Sequence, residues 1–148
     1  MSFDSGKLTF LEAAPGDAEA LVALRIEAMR ESLENVGRFD PARARARFLS
    51  TFSAVHTRHI DLAGQRVGFY VVKPRDGELL LDHLYVKPVY QGQGIGAAVL
   101  QHVFAQAASL DMPVRVGALR GSRSNAFYRR HGFIEVAQDE FDIYYVRA

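Results

Sequence analysis

Apolar and polar positions along this chain follow two periods, alternation in some stretches and helical spacing in others. Residues 7–13 alternate, with Leu8 and Phe10 set between polar neighbours, which predicts a first strand. Pro15-Gly16-Asp17 breaks it, and Asp17 is suited to cap a helix. That helix is expected to run to about residue 33, with Ala18, Leu21, Val22, Met29 and Ser32 on one stripe. Asp40 caps a second helix with Pro41 at its first position, and Ala44, Phe48 and Leu49 point inward. Residues 57–62 and 66–73 read as strands joined by a tight hairpin at Ala63-Gly64. Pro74-Arg75-Asp76-Gly77 is a turn, and residues 78–86 form the next strand. Ile95, Val99, Leu100, Val103, Phe104, Ala107 and Leu110 then recur at helical spacing until Asp111-Met112-Pro113. A strand over 114–119 follows. A short helix capped by Ser122 runs through His131 and is closed by Gly132, and strands over 133–138 and 141–147 end the chain. The order β-α-α-β-β-β-α-β-α-β-β predicts an α/β fold, a mixed sheet with helices on both faces.

Composition narrows the picture. At 148 residues, 49% of them apolar, the chain is expected to be one domain with one core. It has no cysteine, which removes disulfides, a thiol nucleophile and thiolate metal sites. A formal charge of +1 speaks against a nucleic-acid surface. No apolar run reaches the length of a membrane span and no signal-peptide pattern opens the chain, so a soluble cytoplasmic protein, monomer or homodimer, is expected.

Candidate chemistry concentrates after the strand over 78–86. Pro88 removes a ladder donor there, and Gly92, Gly94 and Gly96 follow at alternate positions before the helix. Glycines admit a ligand close to the backbone, and a helix start offers unpaired N–H groups and the positive end of a dipole. The stretch reads as a cradle for a phosphorylated cofactor. Gly92-x-Gly94-x-x-Ala97 formally fits a dinucleotide fingerprint, but the strand over 114–119 ends at Arg120 rather than an acid. No Gly-Lys-Ser/Thr occurs, so both nucleotide readings fit poorly.

Gln91-x-x-Gly94-x-Gly96, preceded by Leu84-Tyr85-Val86-x-Pro88, resembles the pyrophosphate-binding motif of the GNAT acyl-CoA-dependent N-acyltransferases. Downstream, Asn125-Ala-Phe-Tyr128-Arg-Arg-His-Gly132-Phe133 is similar to a second segment of that family. The element order carries the resemblance over most of the chain. It implies acetyl-CoA as co-substrate, no metal, and a small-molecule or peptide amine as acceptor. It implies cofactor contacts from Leu84, Tyr85, Val86, Gln91, Gly92, Gln93, Gly94, Ile95, Gly96, Ala97, Asn125 and Tyr128. In proteins of this kind the strand at 84–86 splays from its neighbour, and the Val86 N–H is the expected donor to the thioester carbonyl. Tyr128 matches the tyrosine that protonates the leaving thiolate, the alternative being a purely packing role. The family pattern more often has asparagine six residues before that tyrosine. Ser122 stands there instead, which leaves the contact of Asn125 open.

The family often places an acid six or four residues before the position of Val86. Leu80 cannot act, and Asp82 shares strand parity with Leu84 and Val86 while His83 and Tyr85 point the other way. Asp82 is therefore the candidate base, with Glu27 and Glu31 in reserve. The competing reading pairs Asp82 with an arginine such as Arg25. Arg25 interrupts an apolar helix stripe: either it snorkels off the core edge, or it faces the acceptor and meets an acidic group. Arg25 and Glu27 are the candidate substrate residues. Arg43 and Arg47 lie one turn apart on a helix that would wall the acceptor pocket, and their alternation with alanine reads as an exposed face. His56 and His59 have no further ligands in sequence and read as surface histidines. Two functional classes remain: an N-acetyltransferase acting by direct attack in a ternary complex, or a non-catalytic acyl-CoA-binding module of the same fold.

Overall fold

The computed structural model describes residues 7–35, 37 and 40–148, without the side chain of Ser32, so that residue's place on the helix stripe lies outside what is described. Seven strands and four helices are present: β1 (Leu8–Glu12), α1 (Ala18–Asn35), α2 (Pro41–Thr51), β2 (Thr57–Leu62), β3 (Gln65–Arg75), β4 (Glu78–Val86), α3 (Ile95–Leu110), β5 (Val114–Leu119), α4 (Ser124–Arg130), β6 (Ile134–Gln138) and β7 (Asp142–Arg147). They form the expected mixed α/β fold, with hydrogen-bonded strand order β1-β2-β3-β4-β5-β7-β6. Pairing is antiparallel for β1 with β2, β2 with β3, β5 with β7 and β6 with β7, and parallel for β4 with β5. The chain divides into two compact units, Met1–Val71 with His83–Gly96, and Val72–Asp82 with Ala97–Ala148. β3 and β4 each contribute residues to both.

In the first unit, Leu21, Val22 and Leu24 of α1 and Phe48 of α2 are buried with Phe69 and Val71 of β3. Asp40 caps α2 as expected: its Oδ1 accepts the Arg43 N–H at 3.1 Å, with Pro41 at the first helical position. Asp17 does not cap α1. It ends a short 3-10 turn over Pro15–Asp17, its carboxylate accepts the Ala14 N–H at 2.8 Å, and its Oδ2 lies 2.8 Å from His59 Nε2. The Ala14 amide first, then His59, hold the Asp17 carboxyl below the usual carboxylate range. His59 is buried and used in this contact, not a surface residue as the sequence suggested.

β3 and β4 press together at Gly68, where an added Cβ would stand 2.2 Å from the Tyr85 carbonyl oxygen and 3.1 Å from Val86 Cα. The Lys87 N–H donates to the Val67 carbonyl at 2.8 Å on the same stretch. In the second unit, Leu79 and Leu81 of β4, Val99, Leu100, Val103 and Ala107 of α3, and Val114 and Val116 of β5 are buried. The buried face of α3 follows the sequence stripe except at its end, where Leu110 is exposed. β4 and β5 pair over Leu79–Val114, Leu80–Arg115 and Leu81–Val116, and the strands continue to Val86 and Leu119.

Candidate active site

β4 leads into a 3-10 turn over Pro88–Tyr90 that the sequence did not reveal. Pro88 ends the strand, and the Tyr90 N–H donates to the Lys87 carbonyl at 2.9 Å. Gln91 then closes back onto the strand, its Nε2 donating to the Val86 carbonyl at 2.8 Å and its N–H to the Pro88 carbonyl at 3.2 Å. Gln91 therefore braces the loop against the end of β4. Gly94 has φ +93°, a conformation that side chains other than glycine's rarely adopt. Gly92 is exposed, and a Cβ there would meet nothing within 4 Å. Ile95 opens α3 with its side chain buried, which leaves only its backbone for a ligand. The N–H groups at the start of α3, at Gly94, Ile95, Gly96 and Ala97, have no intrahelical acceptors. An open loop at the positive end of a 16-residue helix suits a pyrophosphate.

Leu84, Tyr85 and Val86 are half-buried at the end of β4. Facing parity separates their neighbours. His83 and Tyr85 share a face, and on it Phe48 and Phe69 lie against His83, with ring centroids 5.4 and 6.3 Å away. Arg25 Nε donates to the Tyr85 hydroxyl at 3.4 Å, with the guanidinium over the ring at 5.8 Å. The same hydroxyl lies 3.3 Å from His83 Nδ1. Arginine can only donate, so the phenol oxygen accepts from Arg25, and which of the phenol and His83 Nδ1 donates to the other depends on the imidazole tautomer. Arg25 thus does more than snorkel off the core edge. It reaches from α1 to the phenol of Tyr85 on β4.

Around Arg25 lies a pocket of about 290 Å³, whose described walls are Arg25, Leu33, Gly37, Asp40, Arg43, Ala44 and Arg47. Arg43 and Arg47 are exposed, as their alternation with alanine suggested, and both also line this cavity. The signal was their spacing of four residues, which stacks them on one helix face. Glu27 is exposed on α1 and is not among these walls.

The remaining candidates belong to the second unit. Asp82 Oδ2 lies 3.6 Å from Lys73 Nζ of β3. Tyr128 is buried in α4, its ring 5.3 Å from that of Phe133 and 6.3 Å from that of Tyr145. The helix ends behind it as expected: Gly132 has φ +90°, its N–H donates to the Arg129 carbonyl at 3.2 Å, and the Phe133 N–H donates to the Tyr128 carbonyl at 3.1 Å. Its start differs. Arg123 precedes the first turn without a side-chain cap, and Ser122 serves through its carbonyl, which accepts from Asn125.

Asn125 also corrects an expectation. Its Nδ2 donates to the carbonyls of Leu119 and Ser122 at 2.9 and 3.0 Å, and its Oδ1 accepts the Tyr145 hydroxyl at 2.8 Å. Both amide protons are used and the residue is buried, so it ties α4 to β5 and β7 rather than reaching for pantetheine. Among the described residues no group of three or more histidine, cysteine, aspartate or glutamate side chains could hold a metal ion. No helix among them is long and apolar enough to cross a membrane.

Residues 52–135 match the family model of the GNAT acetyltransferase domain. The chain belongs to the GNAT acetyltransferase family. Solved structures share its fold. The PaiA N-acetyltransferase of Thermoplasma acidophilum, solved in complex with coenzyme A, superposes with a TM-score of 0.74 at 16% identity, over 95% of this chain and 98% of the other. An acetyltransferase of Thermus thermophilus gives 0.72 at 20% identity, over 95% and 96%. A GCN5-related N-acetyltransferase from Rhodopseudomonas palustris gives 0.75 at 18% identity, over 100% and 98%. No protein of curated function matches the chain by sequence.

Proposed function

We propose that this chain acts as a single N-acetyltransferase domain that moves an acetyl group from acetyl-CoA to a primary amine by direct attack in a ternary complex. The observation that carries this reading is the open glycine loop over Gln91–Gly96 between the end of β4 and the start of α3, in a member of an acetyltransferase family. The Thermoplasma relative was solved with coenzyme A, which supports the same cofactor here. Gly92, Gly94 and Gly96, with the N–H groups of Ile95 and Ala97, would hold the pyrophosphate, and Gln91 keeps the loop in shape. Leu84, Tyr85 and Val86 would offer backbone groups to the pantetheine arm, with the Val86 N–H polarising the carbonyl under attack. The continuation of β4 beyond its ladder with β5 supports that role for its backbone. Bound acetyl-CoA supplies the activated acyl group. The protein supplies position, which makes the reaction effectively unimolecular, and proton transfer at both ends.

This assignment of the loop has a direct test. Gly94→Asp would force a side chain into a left-handed backbone and set a carboxylate against the phosphates. Calorimetry should show coenzyme A affinity falling by at least about 10-fold, the scale of one lost charge-assisted contact, in a variant whose circular dichroism is unchanged. Unchanged affinity would remove the loop assignment.

Two groups on β4 can take the amine proton. Asp82 has the strand parity of Leu84 and Val86 and pairs with Lys73. His83 shares its face with Tyr85, packs against Phe48, and has its Nδ1 3.3 Å from the Tyr85 hydroxyl. We favour His83, because Phe48 of α2 packs on it, Arg25 of α1 reaches the tyrosine beside it, and the same two helices carry most of the described walls of the pocket around Arg25. The base should reveal itself in the pH profile. His83→Gln should lower kcat/KM most at low pH, where the acceptor is mostly protonated, and less as the pH nears the amine pKa. Asp82→Asn should then lower it by one factor at every pH. The reverse pattern would assign the base to Asp82.

A further inference from the structure

We propose that the pocket walled by Arg25, Arg43 and Arg47 binds an anionic oxygen group, so that the acceptor is a small molecule carrying both an amine and a carboxylate or phosphate. The inference rests on the acetyl-transfer reading and goes beyond it by naming the acceptor's class. Arg25, Arg43 and Arg47 line one cavity of about 290 Å³, and Asp40 is the one carboxylate among its described walls. That carboxylate is turned to the backbone, accepting the Arg43 N–H as the cap of α2. Among the described walls, the arginines outnumber the carboxylates three to one.

Other described arginines of this unit set the contrast. Arg45, on the same helix, is paired with Glu19, Arg58 lies 3.6 Å from Glu12, and Arg66 lies 2.7 Å from Asp61. Among the described residues neither Arg43 nor Arg47 has a carboxylate within ion-pair distance, and Arg25 meets only the Tyr85 phenol. Arg43 and Arg47 stand one turn apart on α2, and Arg25 faces them from α1. Like charges held together in a cavity repel unless an anion joins them, and guanidinium forks match the oxygens of carboxylate and phosphate in pairs. The volume lies at the small end of metabolite sites, which fits an amino-acid-sized acceptor better than a protein chain. An anion held there also fixes the distance from the charged group to the reacting nitrogen, so the pocket selects among amines by length.

The test uses the whole chain, as wild type, as the double variant Arg43→Met/Arg47→Met and as Arg25→Met. Thiol release from acetyl-CoA is measured with matched amines: γ-aminobutyrate against butylamine, glycine against glycinamide, and phosphoethanolamine against ethanolamine. Melting temperature is measured with succinate and with inorganic phosphate. The wild type should favour at least one anionic amine over its neutral partner by roughly 10–100-fold in kcat/KM, the worth of a charge-assisted hydrogen bond. The double variant should lose that preference through acceptor KM, with coenzyme A affinity unchanged. The favoured pair tells carboxylate from phosphate. Equal use of neutral and anionic amines by the wild type, or a preference that survives in both variants, would overturn the proposal. If no amine is acetylated, the melting arm decides. Stabilisation by succinate or phosphate in the wild type but not in the double variant upholds the anion site while the acetyl-transfer reading falls. No stabilisation in any protein overturns the anion site too.

Discussion

Tyr128→Phe should lower kcat by about 10²–10⁴-fold, the usual contribution of general acid–base assistance, while leaving coenzyme A affinity nearly unchanged. The substitution removes one hydroxyl and keeps the ring. That ring packs with Phe133 and Tyr145, and α4 is fixed independently by Asn125 and by the turn at Gly132. Packing should survive, so the loss reads the hydroxyl alone. A phenol, whose ordinary pKa is about 10, stays protonated near neutral pH and can serve a thiolate of pKa about 8.5. No other tyrosine lies in α4 to replace it. Steady-state kinetics with acetyl-CoA, alongside calorimetry, separates the two effects. Turnover near that of the wild type would reduce Tyr128 to a packing residue.

Gly68→Ala should destabilise the protein by about 3 kcal/mol, the upper end of overpacking costs, and lower Tm by roughly 10 °C. The added methyl would meet the Tyr85 carbonyl oxygen at 2.2 Å, and backbone on both sides leaves nothing flexible to yield. β4 would have to move at Tyr85 and Val86, the residues proposed to hold the acyl donor, so activity should fall as well. Gly117→Ala in β5 is the matched control. Its methyl would stand 3.2 Å from the Tyr144 ring, a side chain that can turn aside. Thermal unfolding should show a much smaller change there. Equal loss at both positions would mean that generic strand effects, not the β3–β4 approach, set the cost.

Element identity was legible where periods were clean. β2, β4 and β5 begin and end with their alternation, and the stripe of α3 predicted its buried face. Boundaries failed where a turn was tighter than it looked. Asp76 and Gly77 alone turn the chain, with φ of +52° and +79°, so β3 continues through Pro74 on an exposed end. Polar residues misled most, because sequence suggests local partners and the fold supplied distant ones. Asp17 serves Ala14 and His59 rather than α1, and Asn125 serves Leu119, Ser122 and Tyr145 rather than a ligand. The glycine loop was readable because it is contiguous. The meeting of Arg25, Tyr85 and His83 was not, because 60 residues separate the arginine from the tyrosine whose hydroxyl it reaches.

Amine-dependent release of coenzyme A thiol from acetyl-CoA by the whole chain tests the central claim most directly. The account predicts that release rises with the concentration of an acceptor amine, that the acetylated amine accumulates in equal amount by mass spectrometry, and that Tyr128→Phe suppresses both. Tight coenzyme A binding with no amine-dependent release, across amines that include carboxylate- and phosphate-bearing ones, would contradict it and mark the chain as a binding module on the same fold.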